Sequence, residues 1–102
     1  MSNSVKKAKR PKPLFVKQLS QALRERLKGA EVKHVHVRGR RYRFAVIWRR
    51  FGRMGHPERQ RIVWDIAADV VKGMELWNVS MILALESREV LRQWELATRE
   101  NA

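Results

Sequence analysis

Two stretches of alternating polar and apolar side chains, Glu31–Val37 and Arg41–Trp48, flank the dipeptide Gly39-Arg40. Such alternation is typical of β-strands, and a glycine at the first central position suits a type II′ turn, so the pattern predicts a β-hairpin. If its ladder is regular, one face can be buried and carries Val35, Val37, Tyr42, Phe44, Val46 and Trp48. The other face would be a basic surface with a small apolar patch, made of His34, His36, Arg38, Arg41, Arg43 and Arg49 around Val32, Ala45 and Ile47.

Segments of helical periodicity surround the hairpin. Apolar residues recur every three or four positions over Pro13–Gly29, which predicts an amphipathic helix. A second helix is predicted from about Pro57 to Lys72, with Gly73 as its stop, and a last helix after Ser87, whose hydroxyl suits an N-cap. The predicted buried positions of these helices are Phe15, Leu19, Ala22, Leu23, Leu27, Ile62, Val63, Ile66, Ala67, Val70, Val90, Leu91, Trp94 and Ala97.

Alternation returns over Met74–Leu85 and predicts a third strand, with Trp77, Val79, Met81, Leu83 and Leu85 on one face. A strand-helix-strand connection normally crosses over to a parallel neighbour, so the sheet should be mixed. We therefore predict an α+β fold of two layers, a three-stranded mixed sheet with helices on one face, in the order α-β-β-α(α)-β-α. The helix in parentheses is an extra turn near Gly55. This single domain would span residues 13–102, after a disordered basic arm at residues 1–12.

The net charge of +13 is concentrated in one half of the chain. Residues 1–53 hold 17 Lys and Arg against 2 Glu, or +15, whereas residues 54–102 hold 6 Lys and Arg against 8 Asp and Glu, or −2. A positive field of this kind favours polyanionic partners. Nucleic acid is the first candidate partner, an anionic membrane the second and an acidic protein the third.

Composition and motifs disfavour several classes of function. The absence of cysteine excludes a disulfide scaffold and a thiolate-bound metal from this chain alone, and it favours a reducing, cytoplasmic location. The longest apolar run, Met81–Leu85, is far short of the roughly 20 residues of a membrane-spanning helix, so no membrane partner is expected. No nucleophile with an adjacent base, carboxylate pair or phosphate-binding Gly-Lys-Ser/Thr motif can be assembled, which predicts a protein that is not an enzyme and needs no cofactor.

The segment Phe51–Trp64, here called the corner, turns from the second strand into the next helix. Two glycines permit a tight turn, and Pro57 suits the first helical position. Free N–H groups at the helix start would favour a phosphate or carboxylate there. Five arginines surround this point, and we call them the corner arginines: Arg49, Arg50, Arg53, Arg59 and Arg61.

Phe51, Met54 and the run Arg59-Gln60-Arg61-Ile62-Val63-Trp64 resemble the motif of the BolA-like family, which has a Phe, a Gly-Met and an Arg-His-Arg followed by Leu-Val-Tyr. With the order of elements, the resemblance covers about Leu19 to Leu91. It implies a type II KH-like fold and a stress-related regulator of morphology and transcription. It also implies a monothiol glutaredoxin as partner, with which members share iron–sulfur clusters. Where members carry a His before the third strand, this chain has Asn78 or Val79, so cluster sharing is not predicted here.

The tetrapeptide Gly52-Arg53-Met54-Gly55 resembles the GXXG loop with which KH domains clamp the nucleic-acid backbone. A KH loop lies between two helices, whereas this loop is expected to follow a strand directly.

Histidines and aromatic residues offer further candidates. His34 and His36 share one strand face with metal-ligand spacing, but they lack an assigned third ligand, so two solvated histidines are expected rather than a metal site. Trp48, Trp64, Trp77 and Trp94 lie on apolar lines and are expected in the core. Tyr42 and Phe51 would be the candidates for stacking on bases if they are exposed.

Together these features predict a small basic regulator that binds DNA or RNA through the hairpin and the corner. The alternative is a BolA-like adaptor that binds a glutaredoxin-like protein. The predicted nucleic-acid-binding residues are Arg38, Arg40, Arg41, Arg43, Arg49, Arg50, Gly52, Arg53, Gly55, Arg59 and Arg61.

Overall fold

The structure, a computed structural model, describes residues 12–101, with side chains through Arg99. Residues 1–11 of the predicted basic arm lie outside the described residues. The elements are α1 (Leu14–Arg26), β1 (Glu31–Arg38), β2 (Arg41–Ile47), a first 3-10 helix (Arg49–Arg53), α2 (His56–Val70), a second 3-10 helix (Gly73–Asn78), β3 (Val79–Leu85) and α3 (Arg88–Asn101). None of the helices in this part of the chain has the length and apolar character needed to cross a membrane.

The strands form one sheet in the order β1-β2-β3. β1 and β2 are antiparallel, whereas β2 and β3 are parallel and joined through α2. The predicted α+β class, the mixed three-stranded sheet and the order of elements are therefore confirmed. Positive φ in the hairpin turn is confined to Gly39, at +56°, where a side chain would be strained.

A β-bulge at Val37 reverses the predicted faces of β1. Arg38 pairs with Arg41 as expected, but the next pair is His36 with Tyr42, so Val37 has no partner. Because side chains alternate with period two, this extra residue moves every earlier side chain of β1 to the other face. Val32, His34 and His36 share the face of Tyr42, Phe44 and Val46, while Val35 and Val37 point away from it and are exposed. The predicted burial of Val35 and Val37 is wrong.

The main core lies between that sheet face and the first two helices. α1 contributes Phe15, Leu19 and Leu23, and α2 contributes Val63 and Ala67, all of them buried. The Arg26 side chain of α1 forms an ion pair with Asp69 of α2, with 2.6 Å between Nη2 and Oδ2, and the hydrogen bond from Arg26 lowers the pKa of Asp69. The predicted apolar stripes of both helices thus face the core.

α3 covers the opposite face of the sheet, which corrects the prediction that all helices lie on one face. Leu91 packs with Ala45 and Ile47 of β2 in a second, smaller core. The Ser87 hydroxyl accepts a hydrogen bond of 3.4 Å from the Val90 N–H, as predicted for an N-cap. Arg88 Nε lies 2.7 Å from Glu31 Oε1, and its hydrogen bond lowers the pKa of the Glu31 carboxyl. The sheet therefore lies between α1 and α2 on one side and α3 on the other.

β3 begins later than its alternation suggests. The segment Gly73–Asn78 is a 3-10 helix, and the strand starts at Val79. Val79 pairs with Tyr42 but Met81 pairs with Arg43, so a second irregularity at Ser80 places Val79 on the same core face as Ile82. The prediction that Val79 and Met81 share a face is wrong, and Trp77 belongs to the 3-10 helix rather than to the strand.

Candidate nucleic-acid interface

The corner is built around a buried phenylalanine. After β2, the Trp48 N–H donates to the Leu85 carbonyl across 2.8 Å, and the chain then turns through the first 3-10 helix. Phe51 is fully buried and meets the Trp48 ring edge-on, with 5.2 Å between ring centroids. The Trp48 indole N–H donates to the Lys28 carbonyl across 2.9 Å. These contacts fix the short helix on which Arg49, Arg50 and Arg53 are exposed. The guanidinium carbon of Arg50 lies 5.3 Å from the centroid of the Trp48 ring.

Arg59 is held by the protein itself. Its Nε donates to the Met54 carbonyl across 3.1 Å and its Nη1 to the Ala84 carbonyl across 3.3 Å. Its Nη2 lies 3.6 Å from Glu86 Oε1, and the side chain is only 19% exposed. Arg59 therefore joins the corner to the end of β3. Its guanidinium N–H groups, which the sequence alone assigns to phosphate binding, are used for this positioning role.

Replacing Arg59 by leucine is expected to lower the free energy of unfolding by about 1–2 kcal/mol, because the carbonyls of Met54 and Ala84 lose their donors. Urea denaturation followed by circular dichroism measures the change. Arg61→Leu is the matched control, since Arg61 is exposed on α2, and it should stay within about 0.5 kcal/mol of the parent protein. Equal losses in the two variants would contradict the positioning role.

Gln60 and Arg59 together cover the outer edge of β3. Gln60 Nε2 donates to the Ile82 carbonyl across 3.0 Å, next to the Ala84 carbonyl that Arg59 binds. Trp64 Nε1 in turn donates to Gln60 Oε1 across 3.0 Å. Arg59, Gln60 and Trp64, which resemble part of the BolA-like motif, thus make structural contacts within this chain.

The tetrapeptide Gly52–Gly55 begins inside the first 3-10 helix, which ends at Arg53, and it finishes at the N-cap of α2. The expectation that it follows a strand directly is corrected. A Cβ on Gly52 would lie 3.6 Å from the Glu86 carboxyl group, so one side of the loop already faces an acidic side chain. Gly55 is the N-cap of α2, with no side-chain cap and with ordinary extended backbone.

The predicted site residues fall into two groups at opposite ends of β2. The hairpin arginines, Arg38, Arg40, Arg41 and Arg43, lie near its start, whereas the corner arginines follow its end. The seven-residue strand separates the two groups by roughly 20 Å at ~3.3 Å per residue. Arg40 is paired with Glu75, with 2.5 Å between Nη2 and Oε2. The guanidinium carbon of Arg43 lies 4.8 Å from the centroid of the Trp94 ring of α3.

The histidines do not belong to the predicted basic surface. His34 packs near the rings of Tyr42 and Phe44, and His36 Nε2 lies 2.8 Å from the Gly39 carbonyl oxygen. Burial lowers the pKa of His34 below its usual value, and the charges of Lys12 and Arg24 lower it further. Among the described residues, no group of three His, Cys, Asp or Glu side chains is arranged to hold a metal ion.

Aromatic exposure differs from the prediction. Tyr42 and Phe51, the stacking candidates, are buried, whereas Trp77 is 77% exposed. Trp48, Trp64 and Trp94 are half-buried. Sequence reasoning missed Trp77 because it assigned the residue to a strand. In the sequence, Gly73, four residues before Trp77, was the available indication of a turn. Its φ in the structure is +60°.

The chain was compared with protein-family models, curated proteins and solved structures. It matches no family model, no curated protein and no solved structure. Its function must therefore be argued from the arrangement of its own residues.

Proposed function

We propose that this protein binds nucleic acid and holds the phosphate backbone with the exposed corner arginines, Arg49, Arg50, Arg53 and Arg61, and with the hairpin arginines. The observation that carries the proposal is the set Arg49, Arg50 and Arg53 on one short 3-10 helix. All three side chains are exposed, and none forms an ion pair with a described side chain. Like charges on one five-residue helix repel each other, and a phosphate chain would relieve that repulsion. Guanidinium groups also match phosphate oxygens in bidentate geometry.

The tetrapeptide Gly52–Gly55, which includes Arg53, supports the same function. It joins the end of the first 3-10 helix to the N-cap of α2, which is similar to the place of a KH GXXG loop between two helices. The first N–H groups of an α-helix have no partner within the helix, and here no side chain caps them. Pro57 in the first turn has no N–H, so a phosphate beside Gly55 would meet the remaining donors together with Arg53. Membership of the BolA-like family, with its type II KH-like fold, and a cytoplasmic location are parts of this proposal.

The alternative function, an adaptor for a glutaredoxin-like protein, has no comparable support in the described contacts. Where the BolA-like resemblance would place a ligand histidine, the chain has Asn78 and a buried Val79. Nucleic-acid binding is therefore the function that we carry forward.

Fluorescence anisotropy with a labelled oligonucleotide, repeated over a series of salt concentrations, tests the proposal. The logarithm of the binding constant should fall linearly with the logarithm of the salt concentration. The triple variant R49Q/R50Q/R53Q should bind more weakly, and its salt slope should be smaller by about 2–3, because each lost phosphate contact removes about 0.7–0.9.

The matched control is K17Q/R92Q/R99Q, which removes the same charge from exposed positions on α1 and α3. It should keep most of the parent slope. A binding constant that does not respond to salt would refute phosphate binding. Equal losses in the two triple variants would show that net charge alone, rather than the corner, accounts for the affinity.

A further inference from the structure

The second 3-10 helix carries two large apolar side chains that the protein leaves in solvent. Trp77 is 77% exposed and Met74 is 80% exposed, whereas Leu76 between them packs against the main core. Tryptophan normally supplies large buried area, so an indole kept in water forgoes that stabilisation. Exposed apolar groups that lie together often mark a surface that binds something.

The position of Trp77 is fixed by its surroundings. Gly73 turns the chain out of α2 with a φ of +60°, a conformation that other residues rarely adopt. The ion pair between Glu75 and Arg40 joins the 3-10 helix to the hairpin turn, and Leu76 anchors it to the core. Trp77 therefore extends from an element with contacts on two sides, so little ordering of the backbone is needed when a ligand binds.

An open groove lies beside the indole, with a volume of about 450 Å³. Trp64, Leu76 and Trp77 form apolar walls, and Arg41 and Ser80 add polar groups. This volume lies within the range of roughly 300–1,000 Å³ that is usual for small-molecule sites. Arg41 makes no ion pair with a described side chain, and it pairs across the hairpin with Arg38, which brings a second positive charge to the same end of the sheet.

We propose that this Trp77 groove receives an unpaired base of a single-stranded nucleic acid, which stacks on Trp77 while Arg41 meets an adjacent phosphate. The inference rests on the proposed function and names its substrate class. Aromatic side chains bind single strands because every base has a face available for stacking. In a duplex those faces are covered by neighbouring base pairs, so the groove distinguishes single strands from duplexes. A purely acidic peptide would form ion pairs with Arg41, but it has no ring that could stack on the Trp77 indole.

The test compares the affinities of the parent protein and Trp77→Ala for labelled oligonucleotides of equal length. Loss of one stacked base should weaken single-strand binding by about 5- to 150-fold, for DNA and RNA of the same sequence. Binding to the matching duplex and to a strand of abasic sites should change little, because neither presents a base to the groove. The salt slope should also stay unchanged, since no charge is removed.

Two further variants complete the experiment. Trp77→Phe keeps an aromatic face and should recover most of the lost affinity, whereas Leu96→Ala removes an exposed apolar side chain from α3 and should have no effect. Equal single-strand affinities of Trp77→Ala and the parent protein would overturn the groove assignment while leaving phosphate binding intact. If the parent protein binds no oligonucleotide even at low salt, the proposed function itself fails, and the groove assignment fails with it.

Discussion

Truncation of Phe51 to alanine is expected to lower the free energy of unfolding by about 3–5 kcal/mol, the usual cost of removing a fully buried aromatic ring. The ring packs edge-on against Trp48, and its removal leaves a cavity beneath the first 3-10 helix. A loss of this size is a large fraction of the total free energy of unfolding of a small domain. Urea denaturation followed by circular dichroism should therefore show a much lower midpoint.

Trp77→Ala provides the comparison for this prediction, because it also removes an aromatic ring but from an exposed position. Its free energy of unfolding should stay within about 0.5 kcal/mol of the parent value. If Phe51→Ala cost no more than Trp77→Ala, the burial of Phe51 and the packing of the corner would both be refuted.

Val32→Asn should destabilise the protein by about 3 kcal/mol, whereas Val35→Asn should cost less than about 1 kcal/mol. Val32 is buried on the core face, so its replacement loses apolar burial and places an amide in the core. Val35 is 47% exposed on the other face, where only strand propensity changes. Denaturation midpoints of the two variants measure the difference within one strand.

This pair of variants tests the bulge at Val37 directly. A regular ladder would bury Val35 and expose Val32, so it predicts the opposite order of the two losses. The measured order of the two losses in stability will therefore distinguish the bulged register from the regular one.

Much of the architecture follows from periodicity in the sequence. The stripe of Phe15, Leu19 and Leu23 is a local feature that correctly indicates a helix. Gly73 lies near the end of α2, although that helix ends at Val70 and Gly73 begins the second 3-10 helix. The faces of β1 were not predictable in the same way, because valines alternate with histidines there and either set can face the core. Packing of His34 against the rings of Tyr42 and Phe44 accompanies the bulged register, and those contacts come from residues about ten positions away.

The candidate site shows a similar division between local and distant information. Exposure of Arg49, Arg50 and Arg53 follows from their charge and their place in a turn. The engagement of Arg59 could not be predicted, because its acceptors include Ala84 and Glu86, which reach it only after β3 has crossed over. Trp77 was misplaced because its alternating sequence also fits a 3-10 helix in which one partly buried side chain, Leu76, packs against the core.

The covered edge of β3 has a consequence for how copies of this chain can meet. A contact that joins β1 of one copy to β3 of the next is head-to-tail and can repeat into a fibre, whereas a contact between two β1 strands is symmetric and stops at a pair. Arg59 and Gln60 occupy the Ala84 and Ile82 carbonyls that the first kind of contact would need. The side chains that position the corner therefore also close the route to open-ended polymerisation of the sheet.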